Sequence, residues 1–238
     1  MLAFGADALR WVELDGSGPA RVYLHGLGSS AAPYFARVAA HAGRRSLLVD
    51  FLGHGLSDRP ASFVGTLEAH AQTVAALLDR LGLRDAEIIG HSMGGSVAIV
   101  LARTRPELVG ALVVVEPNLD PVAPEAGAIG SRGIAAYGED EFVAQGFAET
   151  LEAAGPVWAA TMRLADPRLL HRSAVALTRA DLRATLEALD LPRTLITGDA
   201  VDPDPDGLRR SGVRVETIPG AGHNVMLDAP DAFIALLR

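Results

Sequence analysis

The chain has 238 residues, 49% of them hydrophobic, which is enough for one large α/β domain with a sizeable core. A formal net charge of -8 argues against a nucleic-acid partner, and the absence of cysteine removes disulfides, thiolate metal sites and cysteine nucleophiles. All 21 basic residues are arginine, so lysine Schiff-base chemistry and a phosphate-loop lysine are excluded as well. No apolar run reaches the roughly 18 residues of a membrane span. The start, Met1 to Asp7, has no basic stretch followed by an apolar one. The expectation is a cytoplasmic protein, monomer or homodimer, that acts on a small molecule and not on a membrane.

In chain order, Leu2-Ala3-Phe4 and Leu9 to Leu14 read as a hairpin around Gly5-Ala6-Asp7, and Asp15 to Pro19 as a turn. Arg21 to Leu24 is a strand that runs into His25-Gly26-Leu27-Gly28. A helix from Pro33 to Ala40 leads to the strand Ser46 to Val49, which ends in Asp50 and a glycine-dense loop to Pro60. Thr66 to Leu81 carries Leu67, Val74, Leu77, Leu78 and Leu81 at helical spacing and stops at Gly82. Ala86 to Gly90 is a strand, Gly94 to Arg103 a helix, and Ala111 to Val115 a wholly apolar strand of the kind found in parallel sheets covered on both faces. From 118 to 189 the strand rhythm gives way to several helices. It resumes with the strands Thr194 to Thr197 and Val213 to Ile218, and the chain closes in a helix from Pro230; Asp202 to Asp206 between them reads as a proline-stiffened acidic loop. Strands alternating with helices specify an α/β fold, here with a helical insertion after the sixth core strand.

The chemistry centres on Gly90-His91-Ser92-Met93-Gly94, between an apolar strand and a small-residue helix. This G-x-S-x-G pattern is a nucleophile elbow, in which the serine sits in a strained turn at the carboxyl edge of a sheet with its hydroxyl exposed. Glycines stand two residues away on either side because the strand and helix backbones pass close there. A serine nucleophile needs a base, and His223, in the glycine loop after the last strand, falls at that same edge.

The sequence resembles the α/β-hydrolase superfamily over nearly its whole length. The resemblance rests on His25-Gly26-Leu27-Gly28, the D-x-x-G-x-G-x-S-x-x-P run from Asp50 to Pro60, the Ser92 elbow, and Gly220-Ala221-Gly222-His223 with Asp228, Pro230 and Phe233 after it. It implies a mostly parallel eight-stranded sheet with helices on both faces, a core formed by 1–117 and 190–238, and a helical cap over 118–189. It also implies an oxyanion hole made by the backbone N–H groups of Leu27 and Met93. Gly26, His25 and His91 are expected near the substrate, with His25 and His54 also read as loop-stabilising hydrogen-bonders. Trp158 and Met162, one helical turn apart, are expected to line the pocket. No metal and no cofactor is implied.

The acid partner of His223 has two candidate addresses. The usual family pattern places an aspartate three residues after Gly198, where this chain has Val201 with Asp202 one further on, and the loop that normally carries it is short. Glu116, directly after the sixth strand, occupies the address used by haloalkane dehalogenases. Glu116 and Asp202 both stay open, with Asp199 and Asp120 behind them. The function expected is a serine hydrolase that cleaves an ester, lactone or thioester of a small hydrophobic substrate through an acyl-enzyme on Ser92. The alternatives are a meta-cleavage carbon–carbon hydrolase, poorly matched by Leu27-Gly28-Ser29-Ser30, and a ligand-binding pseudo-enzyme. The arginines at 163, 168, 172, 179 and 183 are expected either to hold a substrate carboxylate or to form a solvated helix face.

Overall fold

In the computed structural model, which describes residues 1–4, 7–200 and 202–237, eight strands form one sheet. They are β1 (Leu2–Phe4), β2 (Asp7–Leu14), β3 (Arg21–Leu24), β4 (Ser46–Asp50), β5 (Ala86–His91), β6 (Val109–Val115), β7 (Arg193–Thr197) and β8 (Arg214–Thr217). Their spatial order is β1-β2-β4-β3-β5-β6-β7-β8. The pairings β1/β2 and β2/β4 are antiparallel, and the rest are parallel. The expected hairpin is present, while its turn residues Gly5 and Ala6 lie outside the described residues.

The unbroken apolar strands are explained by burial on both faces. Side chains alternate across the sheet: Tyr23, Leu48, Ile89 and Val113 join one core, and Val22, Leu47, Ile88 and Leu112 join the other. The first core is closed by α1 (Ala31–Ala40). The second is closed by α2 (Leu67–Arg80) and α3 (Met93–Thr104). Thr66 caps α2 by accepting the Ala69 N–H at 3.2 Å.

Between β6 and β7 the chain makes six helices: α4 (Ser131–Ile134), α5 (Glu139–Glu141), α6 (Phe147–Ala153), α7 (Pro156–Met162), α8 (Pro167–Thr178) and α9 (Arg183–Ala188). A π-helical turn, Phe142–Gly146, joins α5 to α6. Leu170, Leu177 and Leu186 of this insertion sink into the core that α2 and α3 close, so it is packed onto the sheet domain. After β7 the chain departs from the expected loop, because Pro205–Arg210 forms α10. Asp204 caps it through the Gly207 N–H at 2.8 Å, and Pro205 occupies the first helical position, where its missing N–H costs nothing. Two further helices, α11 (Val225–Asp228) and α12 (Pro230–Leu236), follow β8, and α12 joins the α1 face. Among the described residues no helix is long and apolar enough to cross a membrane.

Candidate active site

Ser92 stands between β5 and α3 with φ +51° and ψ -118°, a conformation that costs a non-glycine residue roughly 1–3 kcal/mol. Surrounding contacts hold it there. Its N–H donates to the Val115 carbonyl at 2.8 Å. A Cβ at Gly90 would meet the Gly94 carbonyl oxygen at 2.3 Å, and one at Gly94 would meet that of Leu24 at 2.2 Å. Glycine is therefore required at both positions by close backbone approach, as the motif predicts.

His223 follows β8 on a loop that is tied at three points. The Gly220 N–H donates to Asp199 at 2.8 Å, the Gly222 N–H donates to Asp228 at 2.9 Å, and His91 Nε2 lies 2.9 Å from the His223 carbonyl. The His223 side chain is 56% exposed, and its Nδ1 faces Glu116 Oε2 at 3.8 Å. That separation exceeds a hydrogen bond, as is common for acid–base pairs without substrate. His91 is buried, and burial first, with the adjoining His223 second, pushes its pKa well below the ordinary histidine value. It is thus a neutral prop beneath the loop.

Glu116 is held in place by backbone. It sits at φ +48°, one of three non-glycine residues with positive φ among those described; Ser92 is another. Its Oε1 accepts the Gly198 N–H at 2.7 Å, which leaves Oε2 toward His223. The other acids are engaged elsewhere. Asp202 pairs with Arg183 at 3.0 and 3.1 Å, and the same guanidinium binds Asp120 at 2.9 Å. Arg183 holds the Asp120 carboxyl below its usual range. Asp199 is occupied by Gly220. The alternative at Asp202 is accordingly corrected: its carboxylate is spent on the inserted helices. Val201 lies outside the described residues.

Ser92, His223, Glu116, Gly26, Leu27, His91 and Trp158 all border one cavity of about 750 Å³. The N–H groups of Leu27 and Met93 meet no protein acceptor among the described residues, and Leu27 forms part of the cavity wall. The Met93 side chain, by contrast, is fully buried in the core that α2 and α3 close and does not shape the cavity.

Two other expected contacts also change. His25 is fully buried: its Nδ1 lies 2.7 Å from the Gly26 carbonyl and its Nε2 accepts the Phe51 N–H at 3.1 Å, so it braces the loop and is absent from the cavity wall. Met162 is likewise fully buried and packs against the position of Gly28 instead of lining the pocket. Among the residues that sequence reasoning missed are Tyr34, Asn118, Arg132, Leu177 and Asn224 on the cavity wall. Asn118 and Asn224 carry a signal, each lying within two residues of a candidate residue. Tyr34, Arg132 and Leu177 are brought in only by tertiary packing.

None of the five arginines considered for a carboxylate clamp borders the cavity. Arg168 and Arg172 pair with Glu139, and Arg183 with Asp120 and Asp202. The cation on the wall is Arg132, which is paired with Glu125. Among the described residues no group of three or more His, Cys, Asp or Glu side chains is placed to hold a metal ion.

Comparison with known proteins places the family. The sequence model of the Alpha/beta hydrolase family matches residues 22–236. An esterase of Mycobacterium tuberculosis is 30% identical over 98% of this chain and 85% of its own length. A mouse sn-1-specific diacylglycerol lipase is 42% identical over 48% of this chain, a match spanning 38% of that protein. Among solved structures, the enol-lactonase from Burkholderia xenovorans superposes with a TM-score of 0.81 at 23% identity, covering 97% of this chain and 95% of that one. The chain belongs to the alpha/beta hydrolase family.

Proposed function

We propose that the protein is a serine hydrolase that cleaves an ester, lactone or thioester of a small hydrophobic substrate. The observation that carries this reading is that a strained Ser92 and a solvent-reached His223, faced by Glu116 at 3.8 Å, open onto one cavity. Ser92 Oγ attacks the acyl carbon as His223 Nε2 takes its proton. Glu116 orients the ring from the Nδ1 side and offsets the charge of the imidazolium. The oxyanion falls to the free N–H groups of Leu27 and Met93, each worth about 2.7–4 kcal/mol in such sites. His223 then returns the proton to the leaving oxygen or sulfur and activates the water that releases the acid.

The relatives named esterase and lipase support ester-bond chemistry. An apolar acyl portion is favoured by Leu27, Trp158 and Leu177 on the wall, and by Val122, Ile129 and Val157 at its rim, which are 37%, 73% and 44% exposed. A fluorophosphonate probe tests the chemistry: labelling is expected for the native protein and absent from Ser92→Ala and from denatured protein. Equal behaviour of all three overturns the reading. A p-nitrophenyl ester series of increasing acyl length then measures the cavity, and turnover is expected to favour chains longer than acetate.

A further inference from the structure

The inserted helices touch more than substrate space. Trp158 of α7 donates its indole N–H to the Leu27 carbonyl at 2.7 Å, and the Thr161 hydroxyl, one turn on, lies 3.1 Å from the Gly28 carbonyl. That hydroxyl also lies within 3.1 and 3.3 Å of the Trp158 and Val157 carbonyls of its own helix, the default back-bond for a helical threonine. The contact with Gly28 is extra. Gly28 itself has φ +66°, and a Cβ there would stand 3.0 Å from Trp158 Nε1 and 3.3 Å from Met162 Cγ. The loop therefore turns where α7 presses on it. Two successive carbonyls are gripped immediately after the Leu27 N–H. The Gly26 carbonyl, which shares the peptide plane of that N–H, is held by the Ser29 N–H at 3.1 Å and His25 Nδ1 at 2.7 Å, so Leu27 is anchored by its own loop on one side and by α7 on the other.

We propose that Trp158 and Thr161 are positioning residues: by holding the Leu27 and Gly28 carbonyls, α7 fixes Leu27 from its carbonyl side and so keeps its N–H, whose own peptide plane the loop holds, in place for the developing oxyanion. Docking of the inserted helices onto the sheet domain then sets transition-state stabilisation as well as enclosing the substrate. This rests on the hydrolase reading above. A wall residue alters ground-state and transition-state binding together, whereas an aimed donor is felt mainly where negative charge develops.

The test pairs Trp158→Phe, which keeps a ring and removes the donor, with Thr161→Val, which removes a hydroxyl that does not border the cavity. Turnover of p-nitrophenyl butyrate is measured beside inhibition by a trifluoromethyl ketone of matching acyl length, whose adduct with Ser92 places an oxyanion in the same hole. Loss of one such hydrogen bond predicts about a 5–10-fold fall in kcat for Trp158→Phe, a smaller fall for Thr161→Val, little change in KM, and weaker ketone inhibition by the same factors. A rise in KM alone, with kcat and ketone affinity unchanged in both variants, overturns the proposal and leaves Trp158 as wall. Should Trp158→Phe fail to fold, Thr161→Val decides by the same split. Native protein that neither hydrolyses the ester nor takes the fluorophosphonate label would overturn the hydrolase reading itself, and this proposal with it.

Discussion

Two sets of histidines occupy this fold, and in the sequence they look alike. His223 follows a glycine, His25 precedes one, and His54 lies between two. In space they differ in solvent and in charge. His223 is more than half exposed and faces a carboxylate oxygen that no backbone group occupies. His25, His54 and His70 form a buried seam, with ring centroids 5.4 and 6.1 Å apart in sequence order. The nearest acid, Asp50, is 4.0 Å from His25 but already accepts the Ser30 hydroxyl and the N–H groups of Ala31 and Leu56. Burial drives all three pKa values down, that of His70 to about 3. Burial thus keeps the three seam histidines from taking up a proton, whereas His223 stands in solvent beside a carboxylate.

Removing one histidine from each set separates their roles. His223→Gln is expected to lower kcat by about 10⁵–10⁶, the scale on which loss of the base in a serine site is felt. His70→Gln removes a side chain whose Nε2 lies 3.1 Å from the Ser173 hydroxyl of α8. It is expected to cost about 1–3 kcal/mol of stability and to leave kcat within a few-fold. Kinetics and thermal melting of the two variants check this, and a large kcat loss in His70→Gln would erase the distinction.

The next largest effect concerns the carboxylate. Glu116→Gln keeps the shape and an acceptor for Gly198 while removing charge, and a fall in kcat of about 10⁴ is expected. Asp202→Asn is expected to stay within about threefold, its cost appearing as weaker attachment of α9 through Arg183. The reverse pattern, measured on the same ester, would move the acid to β7.

The fold and the strained glycine-flanked turn at Ser92 were legible because each is enforced locally. Gly90 and Gly94 stand where backbones touch, and the apolar strands β3 to β6 state that both faces of the sheet are covered. Which carboxylate faces His223 was not legible, because Asp202 and Asp120 are drawn to Arg183, a contact made by α9 across to the segments after β7 and β6. The burial of Met162 was equally hidden. One-turn spacing from Trp158 says nothing about which side of a helix faces the core. The hidden helix α10 had a local signal, an aspartate followed by proline, that an acidic loop also carries.

A last effect is expected in the pH dependence of stability, to which the seam and the buried His91 both contribute. The folded chain keeps the seam unprotonated, while in the unfolded chain these histidines bind protons below about 6.5. The unfolded state thus gains protons as pH falls, and stability is lost from about 6.5 downward, for His70 continuing to about 3. Asp50 opposes this at His25, and Arg59 reinforces it at His54. Carboxylates act lower: Glu139, held to about 2 by Arg172 and Arg168, withdraws its contribution only below its ordinary value of 4.5. The window between 6.5 and 4.5 therefore reports mainly histidine. Urea midpoints at pH 7, 5.5 and 4.5 are expected to fall in the native chain, by up to about 1.4 kcal/mol per pH unit for each buried histidine. The slope is expected to be shallower in His70→Gln, which removes one of the lowered histidines. A slope left unchanged by His70→Gln would show that the buried ring at this position does not set the pH dependence, and the account of the seam would fail.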